Sequence, residues 1–287
     1  MVSAFLCKKG LNRWWLFTIE DEKGFLIVIG GAEDKYGETE ILKNVVQTIN
    51  INNNGKLLIL TTATEKPQEV GKEYKTVFER LGITNIEVLD INTRDDANSV
   101  NNADNIRNSS GIFFTGGDQL RITSIIGGTE TFKALHDMQK KGGVIAGTSA
   151  GASVMSATMI VDGNSNDPAR KCTLKMAPGL GLLKEAIIDQ HFDQRGRIGR
   201  LLCGVAENPH MLGVGIDEDT AIKVYPDAHF EIIGTNAVTI IDGKSIKSSN
   251  VSELKPDEIL AISNVTLHVL PKGYGFNITD RKVIRLH

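Results

Sequence analysis

Five consecutive residues, Gly147-Thr148-Ser149-Ala150-Gly151, carry the most specific local chemistry in the sequence. They fit the pattern G-x-S-x-G, in which a sharp turn between a buried strand and a helix exposes a serine hydroxyl. Glycines on both sides let neighbouring backbone approach closely. The same turn places the Ala150 amide where it can face an oxyanion formed during attack on a carbonyl. A Gly/Ser turn that only packs a helix on a sheet would use the same letters. The apolar run before this one, and Ala152, Ser153, Val154 and Met155 after it, favour the catalytic reading.

A serine nucleophile needs a base. Six His are present. His191 stands out because Ile187 and Ile188 place it just past the end of a buried strand, on the edge expected for Ser149. Its neighbours Asp189, Gln190, Gln194, Arg195, Arg197 and Arg200 form a dense polar cluster. His136 sits among Lys on a helix, His210 follows Pro209 in a connection, and His268 and His287 lie near the C-terminus. The base in turn needs a carboxylate to hold its tautomer. Residues 215–220, GIDEDT, offer Asp217, Glu218 and Asp219 straight after a strand. Glu218 is the first choice, but spacing barely separates the three.

The elements that must position these groups alternate. Apolar runs at 25–29, 56–60, 86–91, 111–114 and 144–146 read as buried strands. Between them lie amphipathic helices, one marked by Ile41, Leu42, Val45, Val46 and Ile49. Another opens at Pro67, carries Val70, Tyr74, Val77, Phe78 and Leu81, and ends at Gly82. This order predicts an α/β fold, a three-layer sandwich with a mostly parallel central sheet covered on both faces. The Gly-rich turns at 30–31, 116–117 and 147–151 then fall outside the strands' C-terminal ends, where such folds bind ligands. A basic helix is expected from about Arg195. From Ile222 onward, short β-like runs predict an antiparallel extension of the same sheet. No linker interrupts residues 25–287, which read as one domain behind an N-terminal arm, 1–24.

Composition removes several classes. The 287 residues carry 32 Lys and Arg against 35 Asp and Glu, a net charge of −3, which argues against a nucleic-acid binder or a polybasic membrane anchor. No apolar stretch reaches the roughly 18 residues of a membrane span, and the charged, interrupted N-terminus does not read as a signal peptide. The three Cys, Cys7, Cys172 and Cys203, lack metal-ligand spacing and read as reduced thiols, so a cytoplasmic location is expected. No metal or cofactor is expected. The His show no HxxxH spacing, and Gly116–Gly117 lacks the Lys and Ser/Thr of a phosphate loop.

Taken together, the motifs resemble the cyanophycinases, in the serine peptidase family that also contains aspartyl dipeptidase. The resemblance rests on GGAEDK (30–35), GIFFTGGDQLR (111–121), AGTSAGA (146–152), GLGLL (179–183), DQHFDQRGRIGRLL (189–202) and GIDEDTA (215–221). It does not cover residues 1–24 and covers the last forty or so only weakly. It implies a fold like that of class I glutamine amidotransferases. It also implies cleavage of cyanophycin, a polyaspartate whose side-chain carboxyls each carry arginine, to β-Asp-Arg dipeptides. The implied nucleophile is Ser149, the base His191 and the acid Glu218. The implied oxyanion donors are the amides of Ala150 and of Gly117 or its neighbour. The implied substrate contacts are Gln119, Asp189, Gln190, Arg195, Arg197 and Arg200. The three Arg, on one helix face, could take carboxylates, and Asp189 could pair with the substrate's arginine. A homodimer is also implied. Nothing transfers to the 162–170 loop. Two other expectations compete: a peptidase for short Asp-containing peptides, and a non-catalytic binding protein of the amidotransferase-like fold.

Overall fold

Successive residues of a strand face opposite sides of a sheet, so a run such as Leu26-Ile27-Val28-Ile29 needs apolar cover on both. The computed structural model describes residues 24–50, 55–163, 168–170, 174–255 and 257–286, and supplies that cover. Residues 1–23 of the expected arm, Cys7, Cys172, His287 and positions 164–167 of the 162–170 loop lie outside the described residues.

Five parallel strands form one half of the main sheet: β1 (Leu26–Ile29), β2 (Leu57–Leu60), β3 (Ile86–Leu89), β4 (Gly111–Phe114) and β5 (Val144–Thr148). Ile27 and Ile29 pack with Leu57, Ile59 and Phe113 under α1 (Glu40–Asn50) and α2 (Pro67–Arg80). Leu26 and Val28 pack with Leu58, Leu60, Ile112 and Phe114 on the other face. That face is covered by α3 (Arg94–Asn98), α4 (Val100–Arg107), α5 (Gln119–Ile126) and α6 (Glu130–Lys140), through Ala97, Ile106, Ile122 and Leu135 among others. The result is a three-layer α/β sandwich. The short α7 (Ala150–Ser153) follows β5 directly, and a hairpin of β6 (Thr158–Gly163) and β7 (Leu174–Pro178) comes next.

The C-terminal half differs from the single extension expected. Four of its strands do extend the main sheet antiparallel from β1: β10 (Thr220–Val224), β11 (His229–Gly234), β16 (Tyr274–Asn277) and β17 (Lys282–Arg285). Four others build a second sheet in the order β15-β12-β9-β8. These are β8 (Ala186–Gln190), β9 (Leu212–Ile216), β12 (Ala237–Asp242) and β15 (Thr266–Pro271). A two-residue pair, β13 (Ser248–Ser249) and β14 (Ile262–Ser263), completes the strands. One face of the second sheet joins the main core through Ile188, Val214, Val238 and Ile240. Ile187 and Ile241 on its other face pack with Leu201 and Val205 of α8 (Ile198–Glu207). A strand buried on both faces reads the same in sequence whichever sheet it joins, so the partition was not visible in composition.

The expected basic helix also changes form. Asp193–Arg195 is a single 3₁₀ turn, and α8 begins only at Ile198. Gly196 between them is left-handed, φ 57, and interrupts the helix. Arg195 and Arg197 therefore lie before the helix rather than on its face.

Candidate active site

Ser149 occupies the turn between β5 and α7 with φ 53 and ψ −111. A non-glycine residue held there stores about 1–3 kcal/mol of strain, so its surroundings must fix it. They do so through backbone: the Ser149 N–H donates to the Ile29 carbonyl at 3.1 Å. The flanking glycines are required by contact. A Cβ on Gly147 would stand 2.5 Å from the Gly151 carbonyl oxygen, and one on Gly151 would stand 2.5 Å from that of Phe114. The Gly116–Gly117 turn abuts the serine, since a Cβ on Gly116 would lie 3.9 Å from Ser149 Oγ. Gly117 has φ +144 and no room for a side chain, because its Cβ would meet the Ala63 carbonyl at 2.1 Å. Neither the Ala150 nor the Gly117 N–H finds an acceptor among the described residues. Beside Gly117 opens a cleft of about 690 Å³, lined by Ala63, Glu65, Asp118, Arg121, Ala177 and Pro178 among others.

His191 follows β8, in the second sheet and not on the edge of the main one. Its backbone is again left-handed, φ 47, and its N–H donates to the Gly30 carbonyl at 2.8 Å. The imidazole lies against Gly31, where a Cβ would sit 2.3 Å from the ring's Cε1. Its Nε2 is 2.9 Å from Ser149 Oγ and its Nδ1 is 2.6 Å from Glu218 Oε1. A carboxylate can only accept, so Nδ1 carries the proton and Nε2 presents a lone pair to the serine hydroxyl. Burial lowers the His191 pKa below its ordinary 6.5. The positive charges of Arg195 and Arg197 push the same way, while the Glu218 hydrogen bond opposes them. The imidazole is therefore neutral and basic at neutral pH.

The three candidate carboxylates separate by what they hold. Asp217 is buried and accepts from the N–H groups of Asp193 at 3.0 Å and Ala237 at 3.2 Å. Asp219 accepts from the Asp34 N–H at 2.8 Å and the Thr235 hydroxyl at 2.9 Å. Both tie loops together. Glu218, between them, reaches the imidazole, and its own N–H donates to Gln194 Oε1 at 2.9 Å.

The polar cluster around His191 is organised differently from expectation. Asp189 is 1% exposed and accepts from Arg200 through both oxygens, with Nε at 2.7 Å from Oδ2 and Nη2 on Oδ1. Arg197 adds Nη1 at 3.4 Å from Oδ1 and also donates to the carbonyl and side chain of Gln190. Arg197 and Arg200 are both buried. The three Arg therefore do not share one helix face, and Asp189 is enclosed by the protein's own guanidinium groups. Arg195 alone of the three is exposed, with no carboxylate partner among the described residues. Gln119 opens α5 behind Asp118, which caps that helix, and its Nε2 donates to the Val161 carbonyl at 2.9 Å. His136 is on α6 with Nε2 at 2.8 Å from the Leu180 carbonyl, away from the serine.

One residue escaped the sequence reading. Glu33 is 5% exposed and accepts from the Tyr74 hydroxyl at 2.5 Å and the Thr148 hydroxyl at 2.6 Å. Its signal was present: a carboxylate two positions after the Gly30–Gly31 turn. Among the described residues no group of three or more His, Cys, Asp or Glu is placed to hold a metal ion.

Known proteins match over most of the chain. Cyanophycinase of Nostoc sp. (strain PCC 7120 / SAG 25.82 / UTEX 2576) is 36% identical over 268 residues, 93% of this chain and 90% of the relative. Cyanophycinase of Geminocystis herdmanii (strain PCC 6308) is 36% identical over 253 residues, 88% of this chain and 93% of the relative. The crystal structure of a peptidase from an acI-B1 Actinobacterium superposes with a TM-score of 0.62 at 19% identity, covering 93% of this chain and 98% of that one, a likeness of fold. The pattern defining Peptidase family S51 matches residues 26–233. With its motifs, its fold and these relatives in agreement, the chain belongs to peptidase family S51.

Proposed function

We propose that this protein is a serine exopeptidase that hydrolyses the cyanophycin backbone to β-Asp-Arg dipeptides through an acyl-enzyme. The observation that carries the reading is the unbroken run of hydrogen bonds from Ser149 Oγ through the His191 ring to Glu218. Relatives named cyanophycinase supply the substrate.

In this reading the Ser149 turn is a nucleophile elbow. His191 Nε2 takes the hydroxyl proton as Oγ attacks an aspartyl carbonyl carbon, help worth about 10²–10⁴ in rate. The N–H groups of Ala150 and Gly117 hold the oxyanion, each contributing on the order of 3 kcal/mol. The C–N bond then breaks, and His191 gives its proton to the leaving amine. Water attacks the ester, its proton passing through His191 back to Ser149 as the acid leaves. Glu218 remains ionised and stabilises the imidazolium. Arg195 takes a substrate carboxylate, and Gln119 and Gln190 border the same site. Asp189, Arg197 and Arg200 act beneath it, as a buried lattice that holds Gln190. We extend the reading to a single domain over 25–287 and a cytoplasmic homodimer, the latter open to a sedimentation measurement.

Incubation with insoluble cyanophycin, followed by mass analysis of the soluble fraction, tests the proposal. Wild-type protein should release β-Asp-Arg and Ser149→Ala should release none. Intact polymer together with free aspartate released from Asp-X dipeptides would replace the substrate. Equal activity in Ser149→Ala would remove the nucleophile.

A further inference from the structure

Three non-glycine residues near the active site share an unusual backbone. Ser149, His191 and Asp219 have φ of 53, 47 and 48. Each donates its N–H to one of three consecutive carbonyls. Ser149 bonds Ile29 at 3.1 Å, His191 bonds Gly30 at 2.8 Å, and Asp219, next to Glu218, bonds Gly31 at 2.9 Å. The segments bearing the hydroxyl, the imidazole and the carboxylate come from distant parts of the chain, yet they hang on a single turn.

What holds that turn? Beyond β1 it continues into Ala32, itself left-handed at φ 47, and then Glu33 and Asp34. Asp34 closes its own loop by accepting from the N–H groups of Tyr36, Gly37 and Thr39, and its N–H donates to Asp219. Among the described residues, the Glu33 side chain ties the turn to the strand bearing the nucleophile. Its Oε2 accepts from Thr148, the residue before Ser149, and its Oε1 from Tyr74 on α2. Burial and the neighbouring Glu33 charge raise the Tyr74 pKa, so that hydroxyl stays a donor.

We propose that Glu33 is a positioning residue for the reaction, its carboxylate clamping Thr148 to the 29–34 turn and so fixing Ser149 relative to His191. The inference rests on Ser149 and His191 being nucleophile and base. A glutamine at 33 keeps one acceptor oxygen, so in this geometry it accepts from one hydroxyl only, and its nitrogen must donate to the other, whose own proton is turned away. The charged side-chain clamp on Thr148 is then weakened while its backbone pairing with β1 remains, and the strained serine turn can shift.

The test uses the full chain and a fluorophosphonate that labels activated serine, which reads Ser149 whatever the natural substrate. Failure on cyanophycin therefore leaves this test standing. Glu33→Gln should slow labelling by about 10- to 100-fold, the scale expected when reacting groups shift by a fraction of an ångström to one ångström. With a turned-over substrate, kcat should fall and KM stay nearly constant. Thr148→Val, which keeps shape and loses the hydroxyl, should give the same loss, and Thr148→Ser should restore most of the rate. The Glu33→Gln/Thr148→Val double variant should be no slower than the worse single one. Folding of each variant is checked by circular dichroism, and labelling is scored on the folded fraction. A purely structural role would lower the melting temperature and leave labelling of the folded fraction unchanged. That result, or additive losses in the double variant, would overturn the proposal.

Discussion

Asp189 and Arg200 meet through both carboxylate oxygens, with side chains only 1% and 6% exposed. A carboxylate taken this far from water is tolerated because charged donors surround it, and Arg197 supplies a further one. We infer that the pair acts as internal scaffolding. Replacing Asp189 with Asn would leave two buried guanidinium groups facing each other without a counter-charge. Removing one partner of a buried ion pair costs about 3–5 kcal/mol. Asp189→Asn is expected to lower the denaturant midpoint accordingly. A variant of wild-type stability with a KM raised tenfold or more, on the order of 1.4 kcal/mol of lost binding, would make Asp189 a substrate contact instead.

The imidazole's charge state predicts two opposed shifts in the pH profile. Activity requires neutral His191, and its pKa lies below 6.5, so the acid limb of kcat/KM should have its midpoint below 6.5. Arg195 lowers that pKa, so Arg195→Gln should move the midpoint up. The Glu218 hydrogen bond raises it, so Glu218→Gln should move the midpoint down, while kcat falls by about 10²–10⁴. Both substitutions remove a charge, yet their signs differ. Profiles that shift in the same direction would contradict the arrangement.

Those signs rest on contacts of which the sequence revealed only part. The parallel half of the sheet was legible because five apolar runs alternate with amphipathic helices, and runs such as Leu57–Leu60 fit burial on both faces. Ser149 was legible because flanking glycines after a buried strand are a local code. Glu218 was the first choice and the one the resemblance implies, but spacing alone barely separated it from Asp217 and Asp219. All three sit in one turn, and only their partners, the Asp193 and Asp34 backbone among them, distinguish them. The three Arg were misread for a related reason. Gly196 breaks the expected helix, and burial against Asp189 depends on a second sheet that local periodicity does not encode.

Arg195 is the exposed cation beside the imidazole, and its predicted effects follow from exposure. Arg195→Ala should raise KM for an anionic substrate and leave stability within about 0.5 kcal/mol, the usual range for a surface change. Arg195→Lys should recover only part of the loss, since an ammonium group cannot bind a carboxylate bidentately. Steady-state kinetics at low and high salt give the check, because an exposed charge contact weakens with ionic strength. A KM indifferent to both the substitution and the salt would place the carboxylate contact elsewhere.

Gly31 makes the narrowest prediction. A Cβ there would stand 2.3 Å from His191 Cε1 and 2.6 Å from Nε2, and the residue's φ of +104 disfavours any side chain. Something must move, and the ring is the movable part, because the Gly31 carbonyl is engaged by the Asp219 N–H. Displacing the ring by about 1 Å breaks the 2.9 Å approach to Ser149 Oγ, and misplacement on that scale costs about 10²-fold. Gly31→Ala should therefore lose about two decades of kcat with a smaller change in KM. The substitution also strains the backbone, so its melting temperature should be compared with that of Gly82→Ala. Gly82 has a similar φ of +99 but nothing within 4 Å of its would-be Cβ. If both variants lose stability alike and only Gly31→Ala loses rate, the contact with His191 accounts for the difference. Equal rates in the two would mean that the imidazole is not held by this turn.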